Sequence, residues 1–284
     1  MDILNISKNT LGKELRLGFV NQLIELFSHV LYATKNNILF INIDSINWVL
    51  SWENKNTINH TEIFDIEYWN EHAEIYKFPT FIKYNKNIHN SITNNMIWQH
   101  GQFLNLNNEI SIIFSKLIKP KKYILDIINN IKPHSYGTIH FRVEKDLKVV
   151  RGWYEHHRTR PTNLYSAIKN TIIDNIPDVV YTCVAIKDVI DENALEIFNN
   201  KISPWDNIPL VFGGMKICNE YDIPEEKYHL IGAIIDYFIA IDSTHFYIGP
   251  YDLSTFSRSI SIIRKRNNLE SYKITNKCNN ISKI

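Results

Sequence analysis

Cysteine is scarce in this chain. Its three residues, Cys183, Cys218 and Cys278, are widely spaced and odd in number. That argues against a disulfide framework and against a thiolate metal cluster. Cys183 lies inside the apolar run 179–185 and reads as core. Net charge is equally scarce. Thirty-one Lys and Arg against thirty Asp and Glu leave a formal +1. No bulk field then favours nucleic acid or an anionic membrane, and any anion site must be local. No stretch is long and apolar enough to span a bilayer. Met1-Asp2-Ile3-Leu4-Asn5 has no leader character. The expectation is a cytoplasmic protein with neither a membrane span nor a nucleic-acid partner. An Asp-x-Asp metal pair is also missing. The nearest match, Asp65-Ile66-Glu67, reads better as a helix start. His156 and His157 are adjacent and lack a third ligand at useful spacing, so no metal is expected. Asn59-His60-Thr61 and Asn280-Ile281-Ser282 match the glycosylation triplet, which an Asn-rich chain produces by chance.

What is present is apolar material in quantity. A 44% hydrophobic content over 284 residues can build one large core or two ordinary ones. Gly18 lies in a loop at 15–19. Residues 21–34 then carry Leu23, Leu26, Phe27, Val30 and Leu31 at the spacing of one buried helical face. A buried strand follows at 38–41. Residues 45–92 are aromatic, Asn-rich and resist assignment, apart from a helix start at Asp65. Residues 112–118 and 124–131 read as helices broken near Pro120. Beyond Pro133 the pattern gives strands at 138–143, 179–186, 209–212 and 246–249. Helices are expected at 165–174, 192–198, 228–241 and 254–266. The strand at 209–212 should stop at Gly213-Gly214, and the polar tail after Asn267 should fray. Strands alternating with helices twice over predict an α/β protein with two Rossmann-like domains.

The run Tyr136-Gly137-Thr138-Ile139-His140-Phe141-Arg142-Val143-Glu144-Lys145-Asp146 delivers a histidine, an arginine and two carboxylates to a strand end, where open α/β sheets bind ligands. The Arg142 fork suits a diphosphate, or it pairs with Glu144 or Asp146. Alternation along a strand puts His140 on Arg142's face, as a ligand donor or as a satisfied core histidine. Gly18 admits a close backbone. Asn21 stands at a helix start, where free N–H groups attract anions or a plain cap suffices. Phe19 lines a pocket or joins the core. Asp236 is a carboxylate inside an apolar helix and needs partners. Ser254, Thr255 and Phe256 open a helix whose N–H groups form a ready phosphate cradle, with a simple cap by Ser254 or Asp252 as the alternative. Arg264, Lys265 and Arg266 read as a solvated last turn favoured by the helix dipole. Glu25 is a helix carboxylate that is weighed as a proton acceptor, with a solvated helix face as the alternative.

Three of these segments together resemble the superfamily of GDP-fucose-dependent fucosyltransferases. It includes the protein O-fucosyltransferases, the plant O-fucosyltransferase-like proteins and, more distantly, the α-1,6-fucosyltransferases. Gly18-Phe19-Val20-Asn21-Gln22 is similar to the family's Gly-x-x-Asn-Gln loop before a helix. His140-Phe141-Arg142-Val143-Glu144-Lys145-Asp146 is close to the plant-type His-Leu-Arg-Phe-Glu-x-Asp run. Asp236-Tyr237-Phe238-Ile239-Ala240, followed by His245 to Gly249 and Ser254-Thr255-Phe256-Ser257, resembles the family's aspartate-bearing helix, strand and Ser-Ser-Phe-Ser turn.

The resemblance implies a GT-B-like architecture, with a central cleft between residues 1–132 on the acceptor side and residues 133–284 on the nucleotide-sugar side. The last helix is expected to return to the N-terminal domain. It implies an inverting, metal-independent transferase that moves fucose from GDP-fucose to a hydroxyl of a protein, glycan or small molecule, with no cofactor. Arg142 and Asn21 would be the catalytic residues. Gly18, Phe19, His140, Arg142, Asp236, Asp252, Ser254, Thr255 and Phe256 would hold the donor, and Asp236 would read guanine. Some relatives carry a catalytic Glu just before the Gly-Phe-Asn loop, where this chain has Leu17. Glu144 and Asp146 are left as base or as orienters of Arg142. A transferase for UDP-rhamnose or GDP-mannose, and a non-catalytic sugar-nucleotide or glycan-binding protein, are the competing readings. Residues 45–92 and the loop 152–162 are the expected acceptor surfaces; the latter, with Trp153, His156 and Arg158, either meets sugar or acceptor or is an ordinary surface loop.

Overall fold

A computed structural model describes residues 2–6, 18–50, 56–87, 90–94, 99–132, 135–140, 179–183, 210–248, 254–274 and 281–283. The chain divides into two compact units, residues 1–127 and 128–284. Arg142, Glu144, Asp146, Asp252, the helices expected at 165–174 and 192–198, and the loop 152–162 lie outside the described residues.

The first unit contains β1 (Asp2–Ile6), α1 (Phe19–Lys35), β2 (Phe40–Asn42), β3 (Asn47–Val49), β4 (Thr57–Asn59), α2 (His60–Ile63), α3 (Ile66–Ala73), β5 (Thr80–Ile82), β6 (Asn90–Asn94), α4 (His100–Phe103) and α5 (Glu109–Leu117). Helix α6 (Lys122–Ile131) carries the chain into the second unit. Four strands form a parallel sheet in the order β5-β2-β1-β6. Helix α1 supplies the expected apolar face and ends where Asn37 turns into the left-handed region at φ 53°. Helix α3 starts as expected: the Asp65 side chain accepts from the Tyr68 N–H at 2.9 Å. Asn59 is engaged as the cap of α2, with a reciprocal Glu62 contact. Phe27, Phe103, Phe114 and Trp69 fill the core edge-to-face, with ring centroids 5.3 to 6.1 Å apart along the chain of contacts. The edge strand β5 is closed by one side chain. Asn70 donates to the Phe81 carbonyl and accepts from its N–H, imitating a neighbouring strand.

The second unit contains β7 (Tyr136–His140), β8 (Val179–Cys183), β9 (Leu210–Phe212), α7 (Gly214–Glu220), α8 (Tyr228–Asp242), β10 (His245–Ile248), α9 (Thr255–Arg266), β11 (Ser271–Ile274) and β12 (Ile281–Lys283). Its six-stranded sheet runs β12-β11-β10-β7-β8-β9, parallel except for the β11–β12 pair. Two expectations are corrected here. The tail after Asn267 does not simply fray, because β11 and β12 extend the sheet. Gly213-Gly214 does not merely end a strand but opens α7. Helix α9 packs on α8 and β11. Cys183 is buried, as expected of a core cysteine.

Winding direction locates the ligand-binding edge of each sheet. In the second, the chain steps from β7 out to β8 and β9, then returns to the other side of β7 with β10. In the first, it steps from β1 to β2 and β5, then returns beside β1 with β6. The strand order thus reverses between β7 and β10, and between β1 and β6. Such reversals open a crevice at the carboxyl ends of the strands.

Candidate functional site

His140 is the last residue of β7, paired in register with Ile248 on β10 and Cys183 on β8. It therefore stands at the reversal point of the second sheet. Beyond β10 the chain reaches Ser254, the N-cap of α9, whose side chain caps nothing. The first N–H groups of α9 have no intrahelical acceptor, and the dipole adds positive potential there. Ser254, Thr255 and Phe256 are each partly exposed. The structure joins the two motifs directly. His140 Nδ1 lies 2.6 Å from Ser257 Oγ, and the Phe256 ring packs on the imidazole at 4.9 Å. Tyr237 meets Phe256 edge-on at 5.7 Å and shares a 2.6 Å hydrogen bond with Ser259. The first two turns of α9 are thus pinned to β7 and α8 by side chains. The Ser257–His140 link went unread in the sequence, because 116 intervening residues separate the partners.

Asp236 is 7% exposed on α8. Its Oδ1 accepts from the Tyr181 hydroxyl and from the Gly214 N–H, each at 2.6 Å. The carboxylate therefore caps α7 from a neighbouring helix, one of the partnerships open to it on sequence grounds. Burial, reinforced by this carboxylate, pushes the Tyr181 hydroxyl well above its ordinary pKa and keeps it a donor. Burial and the same charge push the Cys218 thiol up to about 12.

In the first unit, Gly18 is the N-cap of α1 at φ −62°, so the helix begins at Phe19 and Asn21 lies inside its first turn rather than at the cap. A Cβ at Gly18 would meet nothing within 4 Å. No acidic residue occupies the first turn. Asn21 Oδ1 is buried with no hydrogen-bond partner, an orphaned acceptor in the first turn of α1. Phe19 is 3% exposed and stacks on Trp48 at 5.8 Å and on Phe64 at 6.4 Å, so it belongs to the core. Glu25 is 1% exposed, which overturns its reading as a solvated residue.

The basic end of α9 is also corrected. Arg264 is fully buried, and its guanidinium donates to the carbonyls of Ala240, Ile241, Ser243, Thr244 and Glu270. Among the described residues no group of three or more His, Cys, Asp or Glu could hold a metal ion, and no helix is long and apolar enough to cross a membrane.

No protein-family model matches the sequence. No curated protein matches it either. Solved structures do match in fold. POFUT1 in complex with GDP is similar over 96% of this chain and 98% of its own, with a TM-score of 0.58 at 9% identity. NodZ α-1,6-fucosyltransferase soaked with GDP-fucose is similar over 99% and 98%, with a TM-score of 0.51 at 11% identity. Fucosyltransferase NodZ from Bradyrhizobium gives 99% and 97%, a TM-score of 0.52 and 14% identity. The chain has the mixed α/β, GT-B-like fold of these proteins.

Proposed function

We propose that this chain is an inverting, metal-independent glycosyltransferase that moves fucose from GDP-fucose to a hydroxyl acceptor. The observation that carries the reading is the join of His140 to the first turn of α9 at the reversal point of the second sheet. An anion-favouring helix start and a histidine at a strand end form one assembly there, on a fold shared with a protein solved in complex with GDP and one soaked with GDP-fucose.

In this reading Thr255, Phe256 and Ser257 offer backbone N–H groups to the diphosphate, and Ser254 and Asp252 also serve the donor. Arg142, two residues past the end of β7, holds the β-phosphate and stabilises the charge that grows as the sugar leaves. The bond from the anomeric carbon to the β-phosphate oxygen breaks, and the acceptor oxygen bonds that carbon from the opposite face. The acceptor proton passes to a phosphate oxygen of the departing GDP, so no side-chain base is required. Glu144 and Asp146 then orient Arg142. In the first unit, Asn21 Oδ1 takes a hydrogen bond from substrate at the bare start of α1, and Gly18 leaves the approach open. Residues 128–284 carry the nucleotide sugar. Asp236, buried on α8 where it meets Tyr181 and Gly214, reads the guanine.

A thermal-shift panel of GDP, UDP and ADP tests this. Wild type is expected to be stabilised by GDP above the others, and Arg142→Ala to lose that shift. Asp236→Asn keeps an acceptor for Tyr181 and Gly214 and should narrow the margin of GDP over UDP. Equal GDP shifts in wild type and Arg142→Ala would remove Arg142 from the site. A UDP preference would replace fucose by a UDP-linked sugar such as rhamnose. GDP binding without donor hydrolysis or transfer would leave a sugar-nucleotide-binding protein.

A further inference from the structure

The Ser257–His140 bond fixes more than position. Ser257 is 1% exposed, and its hydroxyl has His140 Nδ1 as its only hydrogen-bond partner among the described residues. A hydroxyl both donates and accepts, whereas a neutral imidazole nitrogen does one or the other. Were Nδ1 protonated, it would donate to Ser257 Oγ, and the buried hydroxyl hydrogen would be left without an acceptor. With Nδ1 bare, the hydroxyl hydrogen points at it and the pair is satisfied. The proton of the neutral ring must then sit on Nε2.

We propose that Ser257 is a positioning residue that locks His140 as the neutral tautomer protonated on Nε2, making the ring a hydrogen-bond donor to an anionic oxygen and not a base. Phe256, packed on the imidazole at 4.9 Å, holds the plane of the ring while Ser257 sets its tautomer. A neutral imidazole presenting N–H stabilises developing negative charge without first losing a proton, a known use of histidine in catalysis. It cannot take up the acceptor's proton, because the nitrogen not facing Ser257 already carries one. What Nε2–H meets rests on the donor reading above, with a phosphate oxygen of the nucleoside diphosphate as the ligand class. The tautomer itself does not depend on that reading.

The test is long-range proton–nitrogen NMR on the full chain labelled at histidine nitrogens, with His140 assigned by its loss in His140→Gln. Wild type should show Nδ1 unprotonated and Nε2 protonated. A protonated Nδ1, or comparable populations of both tautomers, would overturn the proposal. Ser257→Ala should mix the tautomers and Ser257→Thr, which keeps the hydroxyl, should restore the wild-type pattern. An unchanged pattern in Ser257→Ala overturns the lock. Calorimetric titration with GDP then separates the two claims. Ser257→Ala and His140→Gln should each weaken GDP by roughly tenfold, the effect of one charge-assisted hydrogen bond. Loss in His140→Gln alone denies Ser257 its role. Failure of wild type to bind GDP overturns the donor reading and leaves the tautomer spectra to decide the lock.

Discussion

Arg264 shows how far a single residue can depart from its local pattern. Three basic residues at a helix end read naturally as a solvated turn, and Lys265 is indeed exposed. Arg264, however, shares the face of Ser257, Ile260 and Ile263, all of which are buried. That spacing was readable, but its purpose was not, because four of the five acceptors belong to Ala240–Thr244, twenty or more residues earlier. Those carbonyls stand at the end of α8, where backbone acceptors lack intrahelical donors and the dipole is negative. Burial lowers the Arg264 guanidinium to about 10, so it stays charged at neutral pH. Arg264→Met should cost about 3–5 kcal/mol of stability, since it strands several buried acceptors at once. Arg264→Lys should recover only part of this, because one ammonium cannot span the same fork. Urea denaturation followed by circular dichroism measures both. A Met variant within about 1 kcal/mol of wild type would reduce the cluster to incidental contacts.

Elements with strong periodicity were legible, and those defined by distant partners were not. The apolar stripe of α1, the run of α8 and the β-branched stretch of β8 each declare themselves. Strand β1 is five residues of mixed polarity, and β11 and β12 are short segments of a polar tail. They become strands because the sheet beside them supplies hydrogen bonds. The close contact of α7 with α8 is another long-range fact. A Cβ on Gly214 would stand 2.1 Å from the Gly232 carbonyl oxygen, and one on Gly232 would stand 2.7 Å from the Met215 nitrogen. Both contacts are with backbone atoms, so neither helix can yield by turning a side chain. The approach also seats Gly214 N–H on Asp236. Gly232→Ala should therefore destabilise the second unit by at least about 2 kcal/mol, against the gain of about 1 kcal/mol that alanine brings to an unconstrained helix. A stabilised Gly232→Ala variant in thermal melts would mean that the two helices are free to separate. Among the candidate site residues, the motifs at Gly18, His140 and Ser254 were visible in sequence. Their placement at two winding reversals, and the bond between two of them, required the strand order.

At the scale of the whole molecule, acid should act unevenly on the two units. His29 and His60 are buried in the first unit, at 0% and 1% exposure. Both ring nitrogens of His29 lack a hydrogen-bond partner. His60 accepts from the Trp48 indole at Nδ1 and packs among Trp48, Phe64 and Phe81. Burial lowers their pKa values from 6.5 to about 4 and about 3 respectively. Between pH 6.5 and those values the unfolded chain binds protons that the folded unit refuses, so stability must fall as pH falls. The slope is about 1.4 kcal/mol per pH unit for each histidine once the unfolded residue is fully protonated. From pH 6.5 to 5 the pair should remove about 3 kcal/mol, before most carboxylates titrate in the unfolded chain. His245 in the second unit is also lowered by burial, but it is only partly buried and should add less. Hydrogen exchange, corrected for intrinsic rates, should show α1 and β4–α2 losing protection over this range before α8 does. His29→Leu should remove about half of the pH dependence in urea melts. Equal loss of protection in α1 and α8, or a stability unchanged from pH 6.5 to 5, would mean that these imidazoles accept protons in the folded state and that their burial is relieved by motion of the surrounding helices.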